Sequence, residues 1–150
     1  MTDLGTLGGG SSTSTNINAS GQIVGNSYTT DILQHAFLYS GDRMTDLGTL
    51  GGSNSNASGI NASGQVVGWS INDDHQQRAF LYTDGRMTDL GTLGDEFETS
   101  YAWGINASGQ VVGESDSRSG GRCPFLYSGS AMIDFNSLID PLSGWEISNA

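Results

Sequence analysis

Short apolar stretches alternate with clusters of glycine, serine, asparagine and aspartate along the whole chain, and the same order of stretches recurs. In the middle of the chain, four segments are rich in Val, Ile, Phe, Tyr and Thr and are bounded by turn-forming residues, which is typical of strands in a β meander. They cover residues 44–50, 58–61, 65–70 and 78–83. The apolar pattern nowhere follows the helical period of about 3.6 residues. It therefore predicts an all-β protein.

This four-segment pattern is written three times with a period of about 43 residues. Residues 44–86 align without a gap on residues 1–43, residues 87–131 align on both with a two-residue insertion, and residues 132–150 begin a fourth copy. Such self-similarity is the signature of repeat architectures, in which neighbouring units bury each other's apolar faces. We expect residues 1–150 to form a single repeat domain.

Tandem four-stranded units of roughly 40 to 50 residues are typical of β-propeller blades, so propeller-like blades are the expected architecture. An open β-solenoid is the alternative. Three copies are fewer than the roughly four to eight blades of a closed propeller. The sequence therefore predicts a homodimer or homotrimer that completes a ring, with residues 1–7 and 145–150 as strands available for exchange between subunits.

Apolar residues at matched positions of each copy are expected to pack between blades, because each blade has two faces to bury. They are Ile17, Ile60 and Ile105; Val24, Val67 and Val112; Leu38, Leu81 and Leu126; and Phe37, Phe80 and Phe125.

The connections between segments are of two kinds. The tetrapeptide Asn-Ala-Ser-Gly at residues 18–21 recurs in each copy, and so does a short turn at residues 40–43, whereas the stretches after the first and third segments differ in every copy. Alternate connections of an antiparallel meander lie at opposite ends of the strands. The variable stretches, interpreted as loops, are therefore expected on one face, where a rigid scaffold usually carries its binding residues.

Charge narrows the range of partners. Sixteen Asp and Glu residues stand against five Arg and no Lys, which gives a net charge of −11. Nucleic acid and anionic membranes are not expected partners, because both require a basic surface. An acidic surface favours cations and neutral or cationic ligands. The chain has one cysteine, Cys123, which has no partner for an internal disulfide, and it has neither a long apolar run nor a recognisable secretory signal.

Carboxylates and imidazoles are concentrated in the variable stretches, and this ligand set suits a divalent metal such as calcium or zinc. The metal would be structural, or would activate a water molecule for hydrolysis of a phosphoester or carboxyl ester. A hydrated acidic rim without bound metal is the alternative. The candidate metal ligands are Asp31, His35, Asp73, Asp74, His75, Asp95, Glu96 and Glu98, with Asp116 in the same set of loops.

Three aromatic residues are candidates for ligand binding. Tyr101 and Trp103 alternate along one predicted strand and therefore point to the same side, and Trp69 has no counterpart in the other copies. Flat apolar faces beside polar side chains suit the stacking of a sugar ring. Packing of Trp103 in the core with Ile105, two positions further along, is the alternative.

The tripeptide His-Ala-Phe at residues 35–37, followed by Leu-Tyr and then by MTDLGTLGG, resembles the HAF repeat family. The stretches GINASGQVVGWS, AFLYTDGRMTDLGTLGG and MIDFNSLIDPLSGW are similar to its members, so the likeness covers nearly the whole chain. The tripeptide reads Arg-Ala-Phe and Cys-Pro-Phe in the second and third copies, which argues against a histidine ligand site in every unit. The resemblance implies a bacterial, extracellular or cell-surface protein and implies no particular activity.

These observations predict a noncatalytic binding module that presents variable acidic loops to a carbohydrate, peptide or cation. A metal-dependent hydrolase with ligands from the same loops is the alternative, and a structural spacer from a surface array is a third possibility. A phosphate-binding loop of the Walker type is excluded, since the chain has no lysine.

Overall fold

The computed structural model describes residues 3–94, 98–118 and 120–139, which form three four-stranded antiparallel sheets and one 3₁₀ helix at Phe135–Leu138. Sheet 1 contains β1 (Gly8–Ile17), β2 (Ile23–Thr29), β3 (Gln34–Ser40) and β4 (Arg43–Asp46). Sheet 2 contains β5 (Gly51–Ile60), β6 (Val66–Asn72), β7 (Gln77–Thr83) and β8 (Arg86–Asp89). Sheet 3 contains β9 (Ser100–Ile105), β10 (Val111–Asp116), β11 (Arg122–Ser128) and β12 (Ala131–Asp134). The predictions of an all-β fold and of repeated four-stranded antiparallel units are confirmed. The predicted exchange strand at residues 145–150 lies outside the described residues.

The sheets are out of phase with the sequence repeat. The strand predicted for residues 44–50 ends at Asp46 as the fourth strand of sheet 1, and the next four residues cross to sheet 2. Both ends of this crossover are anchored, since the N–H of Leu47 donates to the carbonyl of Ala36 at 3.0 Å and the N–H of Leu50 donates to Ser70 Oγ at 2.9 Å. Each crossover therefore ties two neighbouring sheets together.

The first variable stretch of each copy was expected to be a loop, and this is wrong for the first two copies, where it forms the N-terminal part of β1 and of β5. Its small residues favour turns in isolation, but here they fit a crowded position between strands. The buried hydroxyl of Ser55 on β5 accepts the N–H of Ala36 at 2.9 Å and donates to the carbonyl of Gly48. Bonds to sheet 1 and to the crossover thus hold this part of β5 in place.

Strand pairing confirms that sequence variation is collected at one end of the sheets. Gly8 pairs with Thr29 and Gly51 pairs with Asn72, so the variable starts of β1 and β5 lie beside the β2–β3 and β6–β7 turns. The Asn-Ala-Ser-Gly turns lie at the opposite end. There Asn61 Oδ1 accepts the N–H groups of two later turn residues, which closes the turn as the sequence predicted.

Two apolar cores lie between the sheets. The first lies between sheets 1 and 2, where Val24 and Ala36 meet Ile60 and Phe80; the second, between sheets 2 and 3, includes Val67 and Phe125. Eight of the twelve residues predicted to pack between units contribute to these two cores, including the partly buried Leu38, Leu81 and Ile105. Ile17 and Val112 do not, because they face outward from the first and last sheets, and Phe37 and Leu126 belong to neither core, although Phe37 is fully buried.

The β2–β3 turn contains a strained isoleucine. Ile32 has a φ of 63°, is 81% exposed, and donates its N–H to the carbonyl of Thr29 at 3.1 Å. A β-branched residue in this left-handed region costs about 1 kcal/mol. The matched residue in sheet 3 is Gly120, also with positive φ.

We therefore expect Ile32→Gly to raise the free energy of unfolding by about 0.5 kcal/mol, after allowing for the greater freedom of glycine in the unfolded chain. Urea denaturation followed by circular dichroism measures this change. Ile17→Gly is the control, because Ile17 is also exposed but lies in an extended strand, where glycine is destabilising. A loss of stability in Ile32→Gly would contradict the strain.

Candidate functional site

An aromatic pair lies on the first strand of sheet 3. The rings of Tyr101 and Trp103 are stacked, with centroids 5.6 Å apart and planes at 11°, and Trp103 is 51% exposed. The two side chains share one side, as their alternation predicts. Core packing of Trp103 with Ile105 is wrong: Ile105 packs against the second core, because a β-bulge at Trp103 shifts the pairing of β9 with β10.

Arg122 and two carboxylates surround this pair. The Arg122 guanidinium carbon lies 4.6 Å from the centroid of the Tyr101 ring, and the same group pairs with Glu114 and, through Nε at 3.5 Å, with Asp116. The hydroxyl of Tyr101 donates to Gln77 Oε1 of sheet 2 at 3.0 Å. Tyr101, Trp103, Arg122, Glu114 and Asp116 together are called the aromatic platform below.

Charges within the platform stabilise each other. Partial burial alone would raise the pKa of Asp116, but hydrogen bonds from the Thr99 hydroxyl at 2.7 Å and the Thr99 N–H at 2.9 Å, together with Arg122, lower it. The hydrogen bond to Tyr101 raises the pKa of Arg122 although burial opposes this, and attraction to Glu114 adds to the rise. Asp116 and Arg122 therefore both stay charged at neutral pH, and the bonds of Asp116 to Thr99 and Arg122 link the start of β9 to β10 and β11.

Replacing Asp116 by asparagine is expected to lower the free energy of unfolding by about 1 kcal/mol at pH 7. Since folding lowers the pKa of Asp116, its contribution is present above the ordinary value of 3.8 and is lost as the pH falls through the lower folded value. Urea titrations at pH 7 and in acid measure the change. Asp31→Asn in an exposed turn is the control, with less than about 0.5 kcal/mol of change at either pH. A pH-independent loss in Asp116→Asn would contradict the prediction.

Arg122 and Glu114 were not selected from the sequence, although a signal exists. The residues matched to Arg122 in the other copies are glutamines, Gln34 and Gln77, and the residue matched to Glu114 in the first copy is Asn26. Two opposite charges thus appear in one copy at positions that are uncharged elsewhere. Comparing copies position by position identifies both, but only the strand register places them together.

The third aromatic candidate, Trp69, lies on a different sheet from the other two. Trp69 is on β6 of sheet 2, opposite Asn56 on one side and Ala79 on the other, and is half-buried. It is therefore on a different sheet from Tyr101 and Trp103.

The candidate metal ligands occupy separate turns and strands. Asp31 lies in the exposed β2–β3 turn, and Asp73, Asp74 and His75 lie in the exposed β6–β7 turn. Glu98 precedes β9, and Asp95 and Glu96 lie outside the described residues. No three His, Cys, Asp or Glu side chains within the described part of the chain are grouped closely enough to hold a metal ion. The metal site stays a prediction.

His35 lies on β3 rather than in a loop. Its Nδ1 is 2.8 Å from Asp46 on β4, and Arg78 at the matched position of sheet 2 pairs with Asp89 on β8 at 3.8 Å. In sheets 1 and 2 the first residue of the tripeptide thus pairs with an aspartate on the fourth strand, whereas Cys123 has this position in sheet 3.

Two open cavities lie on sheet 1. One of about 410 Å³ is at the variable end and is lined by Gly9, Gly10, Ser11, Tyr28, Thr29, Thr30 and Ile32. The other, of about 260 Å³, is lined by Ser14, Thr15, Asn16, Ile17 and Ile23. Neither lining contains a charged side chain.

These features define an all-β repeat protein with an exposed aromatic platform on its third sheet. Comparison with protein-family models, with curated proteins and with solved structures gives no match for this chain. The resemblance to the HAF repeat family therefore stays a prediction. In the part of the chain that the structure describes, no helix has the length and apolar character needed to cross a membrane.

Proposed function

We propose that this chain is a noncatalytic binding module, with the aromatic platform and the neighbouring variable turns as its binding surface for a carbohydrate, peptide or cation. The observation that carries the proposal is the half-exposed Trp103 ring, stacked on Tyr101 and held beside a network of charged groups. Adjacent aromatic rings at the surface, bordered by polar groups, are a common feature of binding sites.

The platform is preorganised, which favours binding. Trp103 and Tyr101 lie on a strand rather than a loop, and Arg122, Gln77 and Asp116 restrain the Tyr101 ring and the start of its strand. A rigid site loses little conformational entropy when a ligand binds. The partly exposed carboxylate of Asp116 supplies an acceptor for hydroxyl or ammonium groups beside the flat ring, a combination that suits sugars and basic peptides.

The surrounding scaffold is proposed to be a propeller. The first strand of each later sheet packs across the preceding sheet, since β5 contacts β1, β2 and β3, and β9 contacts β5, β6 and β7. Successive sheets that stack in chain order in this way are a feature of propeller blades. A homodimer or homotrimer would complete the ring.

A glycan array and a panel of basic peptides, probed with the wild type and with Trp103→Ala, test the platform. We expect at least one ligand class whose affinity falls about tenfold in Trp103→Ala. Tyr28→Ala is the control, because Tyr28 is an exposed aromatic residue on sheet 1, and its loss leaves the affinity unchanged. Absence of binding to every ligand, or equal loss in both variants, removes the proposal.

Calorimetric titration with Ca²⁺ and with Zn²⁺ tests the cation separately. Saturable binding of either ion to the wild type would support a cation as a ligand. No heat above the buffer control with the wild type would exclude these cations as ligands.

A further inference from the structure

The outward faces of sheets 1 and 3 carry residues at the same repeat positions as those that pack between the sheets inside the molecule. Val112 on the outward face of sheet 3 is 44% exposed, whereas the matched Val67 is fully buried against the next sheet. Ile17 on the outward face of sheet 1 is 61% exposed, whereas the matched Ile60 is 8% exposed because the preceding sheet covers it. The internal interface, formed twice in this chain, therefore shows what type of surface covers each outward face.

Hydrogen bonds set the register of the internal interfaces. Asn18 Nδ2 donates to the carbonyl of Asn61 in the next sheet at 2.9 Å, and Asn61 Nδ2 donates to the carbonyl of Asn106 at 3.1 Å. Asn106 is at the matched position of sheet 3, so the carbonyl that would accept from its Nδ2 must belong to a sheet stacked on sheet 3. In a second copy of the chain, the matched carbonyl is that of Asn18 in sheet 1.

Trp103 fits the same register. Its counterpart in sheet 1 is Thr15, whose hydroxyl donates to the carbonyl of Ala57 in sheet 2 at 2.7 Å. The residue matched to Ala57 in sheet 1 is Ser14, which lines the cavity of about 260 Å³ together with Ile17. A sheet 1 stacked on sheet 3 in this register brings the cavity against the Trp103 ring. Aromatic rings that enter such recesses are frequent energetic centres of protein interfaces.

We infer that the partner of the aromatic platform is a second copy of this chain, whose sheet 1 stacks on the outward face of sheet 3. The inference rests on the proposed function, since it uses the same platform, and it names a polypeptide surface as the ligand. The contact joins two different faces and can therefore close into a ring. Two chains of three sheets give six blades, within the usual range of roughly four to eight.

One residue makes this contact weaker than the internal ones. The N–H groups of Ala36 and Ala79 each donate to a serine hydroxyl of the next sheet at 2.9 Å, but Pro124 at the matched position of sheet 3 has no N–H. The matched serine in sheet 1 is Ser12. Its hydroxyl donates to the carbonyl of Gly5 at 2.7 Å, so its oxygen still accepts an N–H from a neighbouring chain. Pro124→Ala restores the missing hydrogen bond.

Sedimentation velocity over a range of concentrations tests the inference. We expect the wild type to reach twice the mass of one chain. Trp103→Ala and Ile17→Arg each weaken the association about tenfold or more, and Pro124→Ala strengthens it about fivefold. Ile32→Arg is the control, because Ile32 is exposed in a turn outside both faces, and its association is unchanged. Circular dichroism verifies that each variant is folded.

The outcomes separate this inference from the proposed function. A wild type that stays monomeric overturns the inference, and so does a dimer that neither Trp103→Ala nor Ile17→Arg weakens. A monomer that binds a glycan or peptide through Trp103 overturns the inference and leaves the binding function in place. A dimer that Trp103→Ala disrupts, without any glycan, peptide or cation bound, supports the inference and removes those ligands from the proposed function.

Discussion

Gly68→Ala is expected to lower the free energy of unfolding by about 3 kcal/mol, because the strands of sheet 2 leave no space for a methyl group. A Cβ at this position would lie 2.9 Å from Ala57 Cα and closer still to the carbonyl oxygen of Asn56. Both are backbone atoms of β5, so the strand itself must move. Guanidinium denaturation followed by circular dichroism measures the loss.

Gly10→Ala is the matched control for this prediction. Gly10 also lies within a strand, but nothing is within 4 Å of a Cβ built on it. We expect a change of less than about 0.5 kcal/mol there. Equal effects of the two substitutions would contradict the close approach of β5 and β6.

Phe80→Ala is expected to cost about 3 to 5 kcal/mol of stability. The Phe80 ring is fully buried in the core between sheets 1 and 2, so its removal leaves a cavity that the flanking strands cannot close. Thermal unfolding and urea titration both report this loss. A small loss, comparable with that of Tyr28→Ala at the exposed β2 position, would mean that sheets 1 and 2 do not pack as described.

Glycine has the same close-packed role in all three sheets. Gly25 and Gly113 match Gly68, and a Cβ at either would also meet the backbone of the first strand of its sheet. The sequence shows this glycine in every copy, between a valine and a variable residue. From the sequence pattern alone, a glycine inside a strand is expected to weaken that strand. The structure shows that glycine is required at this position, because the two backbones approach too closely for a side chain.

Much of the fold followed from local pattern. The Asn-Ala-Ser-Gly turns were predictable because Asn61 closes the turn through its own side chain, without help from distant residues. The N-terminal part of β5 was not predictable in this way. Its serine and asparagine residues have low strand propensity, and the bond from Ala36 that favours Ser55 in a strand comes from another sheet.

The candidate site was likewise predictable from the sequence only in part. Stacking of Tyr101 and Trp103 followed from their alternation, but the exposure of Trp103 depended on a β-bulge that turns Ile105 to the other side. Arg122 joined the site through its pairing opposite Asp116, which requires the register of β10 and β11.

By itself the sequence determined the all-β class, the repeated four-stranded unit and the concentration of variation at one end, since strand alternation and turn chemistry act over a few neighbouring residues. The tertiary structure decided where each sheet begins, which small polar residues form strands, and which apolar residues stay exposed on the outward faces. These features depend on hydrogen bonds and packing between residues about 20 to 45 positions apart, as in the bonds from Ala36 to Ser55 and from Asn61 to Asn106. No local pattern encodes such distances, because they arise only when one sheet stacks on the next.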